Sequence, residues 1–120
     1  MNEQIRHLIS QHPDRPLVIG HRGLAWSHPE NTQPSFDAAI AAGADMVELD
    51  FQVTADGALA CVHDVTLKRY VPESLHDHDL PARTISSYTL AQLREFDLGA
   101  WKHPKFAGTH VMTPVSYTHL

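Results

Sequence analysis

A single cysteine, Cys61, stands among the 120 residues, which excludes an intrachain disulfide and suits a reducing compartment. It lies in an apolar run with no basic neighbour, which favours a small buried thiol over a nucleophile. Long hydrophobic runs are missing as well. Residues 1–12 mix Glu3, Arg6 and two histidines with scattered Ile and Leu, which leaves no signal peptide or membrane span to read there. A cytoplasmic location without stable membrane insertion is therefore expected. Positive charge is scarce: nine Lys and Arg against fourteen Asp and Glu give a net charge of −5. Nothing general then draws the chain to nucleic acid or to anionic membrane, and any phosphate would have to be met by local Arg, His or metal charge. Internal repeats and low-complexity tracts are absent too. What is present, 42% hydrophobic and 19% charged residues, is the composition of a globular domain and not of a disordered chain.

Punctuation divides the chain into short elements. Ile5, Leu8 and Ile9 at helical spacing predict a lead-in helix before Pro13. A first strand opens at Pro16 and ends at Gly20, and His28-Pro29 keeps the following stretch a loop. Thr32 is placed to cap a helix that admits Pro34 in its first turn, carries Phe36, Ala39 and Ile40 as its apolar stripe, and stops before Gly43. A second strand is predicted from about Asp45 to Thr54, and Asp56-Gly57 marks a hairpin into a third, Ala58 to Asp64. Val71 to Ser87 reads as irregular loop; Thr89 and Gln92 form a capping-box pattern for a helix with Leu90, Leu93 and Phe96 inward, ended by Gly99. Strand, helix, strand at the start favours an α/β fold with a parallel sheet.

Three strand-like segments carry the chemistry. His21-Arg22-Gly23 follows a strand end, where active-site groups of parallel α/β folds collect. Histidine there can exchange a proton near neutral pH, and arginine offers a fork of donors to a phosphate or carboxylate. A surface histidine and a solvated arginine would explain the tripeptide alone. Alternation along the second strand puts Glu48, Asp50 and Gln52 on one face and Val47, Leu49, Phe51 and Val53 on the other. Two carboxylates on a covered strand are costly without a cation, and hard oxygen ligands suit Mg²⁺ or Ca²⁺ better than Zn²⁺. An edge strand with a wet polar face explains that pair equally well taken singly, but a strand that follows a helix after Gly43 should be central and covered. His63-Asp64 ends the third strand. Its histidine is a candidate general acid, and Asp64 either orients the ring or, the better reading on its own, caps the next turn. Capping explains Asn31 and Thr32, Glu30 suits the helix dipole, and a second role for Glu30 or Asn31 beside a metal is open.

Together the strings His21-Arg22-Gly23, Pro29-Glu30-Asn31-Thr32, Glu48-Leu49-Asp50, Thr54-Ala55-Asp56-Gly57 and His63-Asp64 with Thr66-Leu67-Lys68-Arg69 resemble the glycerophosphodiester phosphodiesterase family. Thr89-Leu90 with Leu93, and Asp97-Leu98-Gly99-Ala100-Trp101, continue the pattern, so it runs from about Pro16 to Gly108. The resemblance implies the N-terminal portion of a (β/α)₈ barrel and hydrolysis of a small-molecule glycerophosphodiester to an alcohol and sn-glycerol 3-phosphate. It also implies His21 and His63 as the acid–base pair, Arg22 as a phosphate contact, and Glu48 and Asp50 as ligands of Mg²⁺ or Ca²⁺.

Such a barrel takes roughly 250 residues, and the family's third carboxylate ligand comes from a later strand. Residues 1–114 are therefore expected to form a partial domain and residues 115–120 a tail foreign to the pattern. On that reading the chain alone is inactive and leaves Val47, Leu49, Phe51 or their neighbours uncovered. Two other functions stay open: a phospholipase of the sphingomyelinase D type, against which the Pro29–Thr32 string argues, and a non-catalytic barrel fragment that binds phosphate or metal. His76-Asp77-His78-Asp79 as a transition-metal site is the weakest reading, because adjacent loop residues rarely close a ligand set. Trp101 is expected to pack and not to stack on substrate.

Overall fold

A clamp on one aspartate sets the start of the sheet in the computed structural model, which describes residues 1–117. Helix α1 (Glu3–Gln11) begins where the Asn2 side chain accepts from the Gln4 amide at 2.7 Å. Beyond it, Arg15 grips Asp45 with two bonds of 2.8 and 3.0 Å, and the Val18 amide donates to the same carboxylate at 2.8 Å. The Arg15 bonds hold the Asp45 carboxyl far below the usual carboxylate range, with Val18 adding to them. The lead-in to β1 (Ile19–His21) is thereby pinned to the lead-in to β2 (Met46–Glu48).

β1 and β2 pair in parallel, with Ile19 opposite Met46, Gly20 opposite Val47, and His21 opposite Glu48. Helix α2 (Gln33–Ala41) makes the crossover, as the strand–helix–strand order predicts. Thr32 occupies the cap position, yet its hydroxyl donates to the Pro29 carbonyl instead of capping an amide. Phe36 and Ala39 are buried while Ile40 is 48% exposed, so the apolar stripe is narrower than expected. Gly43, at φ +95°, turns the chain just past the helix end, a conformation glycine adopts without steric cost.

The second strand departs from expectation. Instead of one ribbon from Asp45 to Thr54, β2 stops at Glu48 and a separate β3 (Gln52–Val53) begins after an irregular step. The two belong to different sheets: β2 with β1, and β3 antiparallel to β4 (Leu59–Ala60). The Asp56-Gly57 hairpin is as predicted, with Gly57 at φ +82° and the Thr54 amide donating to the Ala58 carbonyl at 2.8 Å. β4 is far shorter than Ala58 to Asp64 because the next amide, Cys61, bonds to the Met112 carbonyl at 2.8 Å and leaves the hairpin. Asp56 ties the hairpin to helix α3 (Leu90–Leu93), accepting from both the Thr54 hydroxyl and the Leu90 amide.

The larger core gathers Val62, Leu67, Leu80, Ile85, Leu93 and Leu98 under the hairpin. A smaller one joins Phe36, Cys61 and Met112, with Val47 and Leu49 packed against it. Those two residues, expected to be uncovered, are thus half-buried, while Phe51 is 55% exposed. The thiol of Cys61 is buried, and burial, then the Asp50 charge, pushes it up to about 11, which fits an inert core residue. Pro114–Tyr117 form a short α4. Residues 115–117 of the expected tail lie in this helix, and 118–120 lie outside the described residues.

The capping box is as predicted: Thr89 accepts from the Gln92 amide at 3.2 Å and Gln92 from the Thr89 amide at 2.9 Å. α3 ends at Leu93, however, not at Gly99. Gly99 belongs instead to a turn built on Asp97, whose carboxylate accepts from the amides of Gly99, Ala100 and Gly108. A Cβ at Gly99 would strike the Phe106 carbonyl and the Thr109 side chain. Gly99→Ala is accordingly expected to destabilise the fold by about 1–3 kcal/mol, the usual cost of overpacking. An unchanged thermal midpoint would contradict that close approach.

Candidate active site

The β1–β2 register delivers the first group of residues. His21, at the end of β1, lies beside Glu48 at the end of β2, with His21 Nε2 3.8 Å from Glu48 Oε2. The next residue, Arg22, sits at φ +56°, a left-handed conformation that is uncommon for a residue with a side chain. That turn aims its amide at Glu48 Oε2 (3.1 Å) and folds its guanidinium back over the loop. Arg22 Nη1 donates to Glu30 at 3.0 Å. Its Nε approaches Asp50 Oδ2 to 3.1 Å without hydrogen-bond alignment, so it is a buried donor lacking a bonded partner. Arg22 is thus 80% covered and enclosed by carboxylates, not a solvated surface arginine.

Asp50 is oriented from the loop before α2. Asn31 is buried and, like Arg22, left-handed at φ +58°. Its side chain accepts from the Asp50 amide at 3.0 Å and donates to Asp50 Oδ2 at 3.1 Å. Of the two roles the sequence leaves open for Asn31, capping and a place beside the acidic pair, the structure shows its side chain holding a carboxylate. Glu48 is 42% exposed and Asp50 28%, so neither lies deep in a covered ribbon as expected. Glu48 Oε1 and Asp50 Oδ1 accept no hydrogen bond among the described residues. Gln52, predicted on the same face, instead turns its amide toward the carbonyls of Val62, His63 and Asp64, at 3.3, 3.1 and 2.7 Å. It fastens the segment that carries the second histidine.

His63 Nδ1 lies 2.9 Å from Asp64 Oδ1. Asp64 therefore orients the ring, and the turn-capping reading is corrected. Arg69 grips the same carboxylate with Nε and Nη2, both at 2.9 Å, and reaches across to Glu30 with Nη1 at 2.8 Å and Nη2 at 3.0 Å. Tyr70 adds its hydroxyl to Glu30 at 3.2 Å. The Arg69 fork holds Asp64 well below the ordinary carboxylate range, with His63 contributing and burial opposing. On Glu30 burial is the largest single influence and pushes upward. The charges and bonds of Arg69, with Arg22 and Tyr70, outweigh it and leave the group lowered.

Ligand atoms of Glu30, His63 and Asp64 lie within 4.8 Å of one another, which meets the spacing of a metal site. Arg69 already occupies the charge centre between the two carboxylates, so a cation there would have to displace a guanidinium. The pair Glu48 and Asp50, with an open oxygen each, offers hard ligands at no such cost. His76–Asp79 holds no ligand set: His76 Nε2 meets the Val71 carbonyl at 2.6 Å, and Asp77 accepts from the amides of Asp79 and Leu80. Trp101 packs as expected, its Nε1 donating to Leu98 and its ring edge-on to Tyr70.

Residues 21–116 match the model of the glycerophosphoryl diester phosphodiesterase family. The chain belongs to that family. A glycerophosphodiester phosphodiesterase of Caldanaerobacter subterraneus subsp. tengcongensis is 36% identical over 99 residues, which cover 82% of this chain and 37% of the relative. A crystal structure of a glycerophosphodiester phosphodiesterase from Agrobacterium tumefaciens aligns with a TM-score of 0.75 at 30% identity, over 86% of this chain and 41% of its own. An Oleispira antarctica phosphodiesterase, solved with its product sn-glycerol 3-phosphate, aligns at 0.72 and 32% identity over 83% of this chain and 37% of its own. The chain spans about a third of the length of the curated relatives it matches. Its α/β arrangement is accordingly a portion of the glycerophosphodiester phosphodiesterase (β/α)₈ barrel. Among the described residues no helix is long and apolar enough to cross a membrane.

Proposed function

We propose that this site serves the hydrolysis of glycerophosphodiesters to an alcohol and sn-glycerol 3-phosphate in the cytoplasm. His21 and His63 move the protons, Arg22 meets the phosphate, and Glu48 and Asp50 hold Mg²⁺ or Ca²⁺. The observation that carries the proposal is the β1–β2 register, which sets His21 against Glu48 while Arg22 reaches both Glu48 and Asp50. The donor set fits a hard cation: two neighbouring carboxylates, each with one oxygen that accepts no hydrogen bond among the described residues, beside a buried Arg22 Nε that lacks a bonded partner. When bound there, a divalent cation supplies charge neutralisation for the phosphate and its developing negative charge.

The residues divide the remaining work. Arg22 Nη1 is committed to Glu30, whereas its Nη2 makes no hydrogen bond among the described residues and is free to donate to a phosphate oxygen. His63 keeps Nδ1 on Asp64, which fixes the tautomer and leaves Nε2 to exchange a proton with the substrate. His21, 73% exposed at the strand end, is the partner that takes or returns the other proton. The relatives reported above act on glycerophosphodiesters or hold glycerol 3-phosphate, which favours that substrate over sphingomyelin.

In the protein that carries this chain, release of glycerol 3-phosphate from glycerophosphocholine should stop on chelation and return with Mg²⁺ or Ca²⁺. Asp50→Asn should shift that metal requirement to higher concentration. Hydrolysis indifferent to chelation and to Asp50→Asn would sink the assignment, as would preferential cleavage of sphingomyelin.

A further inference from the structure

One buried carboxylate joins the two halves of this site. Glu30 is 92% covered, yet it carries four hydrogen bonds: from Arg22, twice from Arg69, and from Tyr70. Arg22 continues to Glu48 and Asp50 on one side. Arg69 continues through Asp64 to the His63 ring on the other. The path from Arg22 to the second histidine therefore runs through Glu30, Arg69 and Asp64, with every separation between 2.8 and 3.0 Å.

We propose that Glu30 is a positioning residue that sets the placement of Arg22 relative to His63, with Arg69 as the arm that carries its effect to the ring. The proposal rests on the roles given above to Arg22 and His63. The geometry supports positioning over simple charge balance. Asp64 takes only Nε and Nη2 of Arg69, and Asp50 lies against Arg22 without a hydrogen bond; Glu30 is the group that accepts from Nη1 of both and spans the two forks. Two guanidinium planes bonded to one carboxylate leave little rotational freedom to either. Adjacent Asn31 adds a second constraint, since its amide donates to the Arg22 carbonyl at 3.1 Å while its side chain fixes Asp50. The charged groups facing the His63 ring are Asp64 and Glu30, with Arg69 behind them.

The test is Glu30→Gln in the protein that carries this chain, read by kcat, KM and the NMR titration of the His63 ring, identified by its loss in His63→Asn. Removing a neighbouring anion should move the ring midpoint to lower pH. Displacement of Arg22 and His63 should cut kcat about 100-fold, the scale of a 1 Å misplacement. Wild-type kcat and an unmoved ring titration, with only the thermal midpoint lowered, would overturn the proposal and leave Glu30 a fold element. Should Glu30→Gln lack a cooperative unfolding transition, Arg69→Lys decides. It keeps the cation but cannot bridge both carboxylates, so Asp64 is freed toward the ring, the midpoint should rise, and kcat should fall. An unmoved midpoint and kcat in Arg69→Lys would overturn it equally. His21→Asn and His63→Asn at full activity would instead remove the functional reading while leaving the titration result interpretable.

Discussion

Replacing His63 with Asn in the protein that carries this chain is expected to lower kcat by about 10²–10⁴-fold, the range attached to loss of a positioned proton donor or acceptor. The Michaelis constant should change little, because the ring is asked to act on charge that develops during the reaction and not on bound substrate. Stability should hold as well. The His63 side chain is 46% exposed and its Nδ1 contact to Asp64 can be replaced by the Asn amide or by water. His21→Asn should give a loss of the same order, since the two rings serve opposite proton transfers. The double substitution should fall well short of the product of the two, as groups acting as a unit are not additive. His78→Asn, in the loop assigned no chemistry, should leave the rate at wild type. A His63→Asn enzyme within a few-fold of wild type would place proton transfer on another group, and the Asp64–Arg69 clamp would then be a structural feature alone.

How much of this was legible beforehand follows from the range of each interaction. The Asp56-Gly57 hairpin, the Thr89–Gln92 box and the Gly43 turn are each settled within a few residues, and all three stand where local chemistry put them. Proximity of His21 to Glu48 was legible only through the resemblance, because register between strands 27 residues apart has no local signal. Alternation failed in the second strand for a physical reason. The Asp50 amide bonds to the Asn31 side chain instead of a neighbouring strand, and that bond breaks the ribbon after Glu48. Nor could the clamp be seen: Glu30 and Arg69 are 39 residues apart, in a turn and an irregular loop, and neither pattern nor propensity joins them. In the sequence Arg69 is only the last residue of the Thr66-Leu67-Lys68-Arg69 string, with nothing to assign it a task. That Glu30 is covered, and so needs a cation, is visible only in the fold.

Loss of that cation should be the costliest change to stability near the site. Arg69→Ala is expected to destabilise the fold by about 2–3 kcal/mol at neutral pH, less than the ~3–5 kcal/mol of a fully buried pair, because the Arg69 side chain is 40% exposed and water screens it. Glu30 keeps Arg22, which softens the loss further, whereas among the described residues Asp64 keeps only His63. The pH dependence separates charge from packing. Both carboxyls titrate below their ordinary range in the folded protein, so the stability they contribute is complete above the unfolded values of about 3.9 and 4.3. It is lost as pH falls through the lower folded values, where the protonated acids no longer need the guanidinium. In urea unfolding the gap between wild type and Arg69→Ala should therefore be widest near neutrality and narrow steadily below about pH 4. The competing source of stability is the stacking of Arg69 over Tyr70 at 4.5 Å and Trp101 at 5.1 Å, which no carboxyl titration alters. A gap of constant size across that acid range would assign Arg69 to those rings, and the carboxylate clamp would then add nothing measurable to the fold.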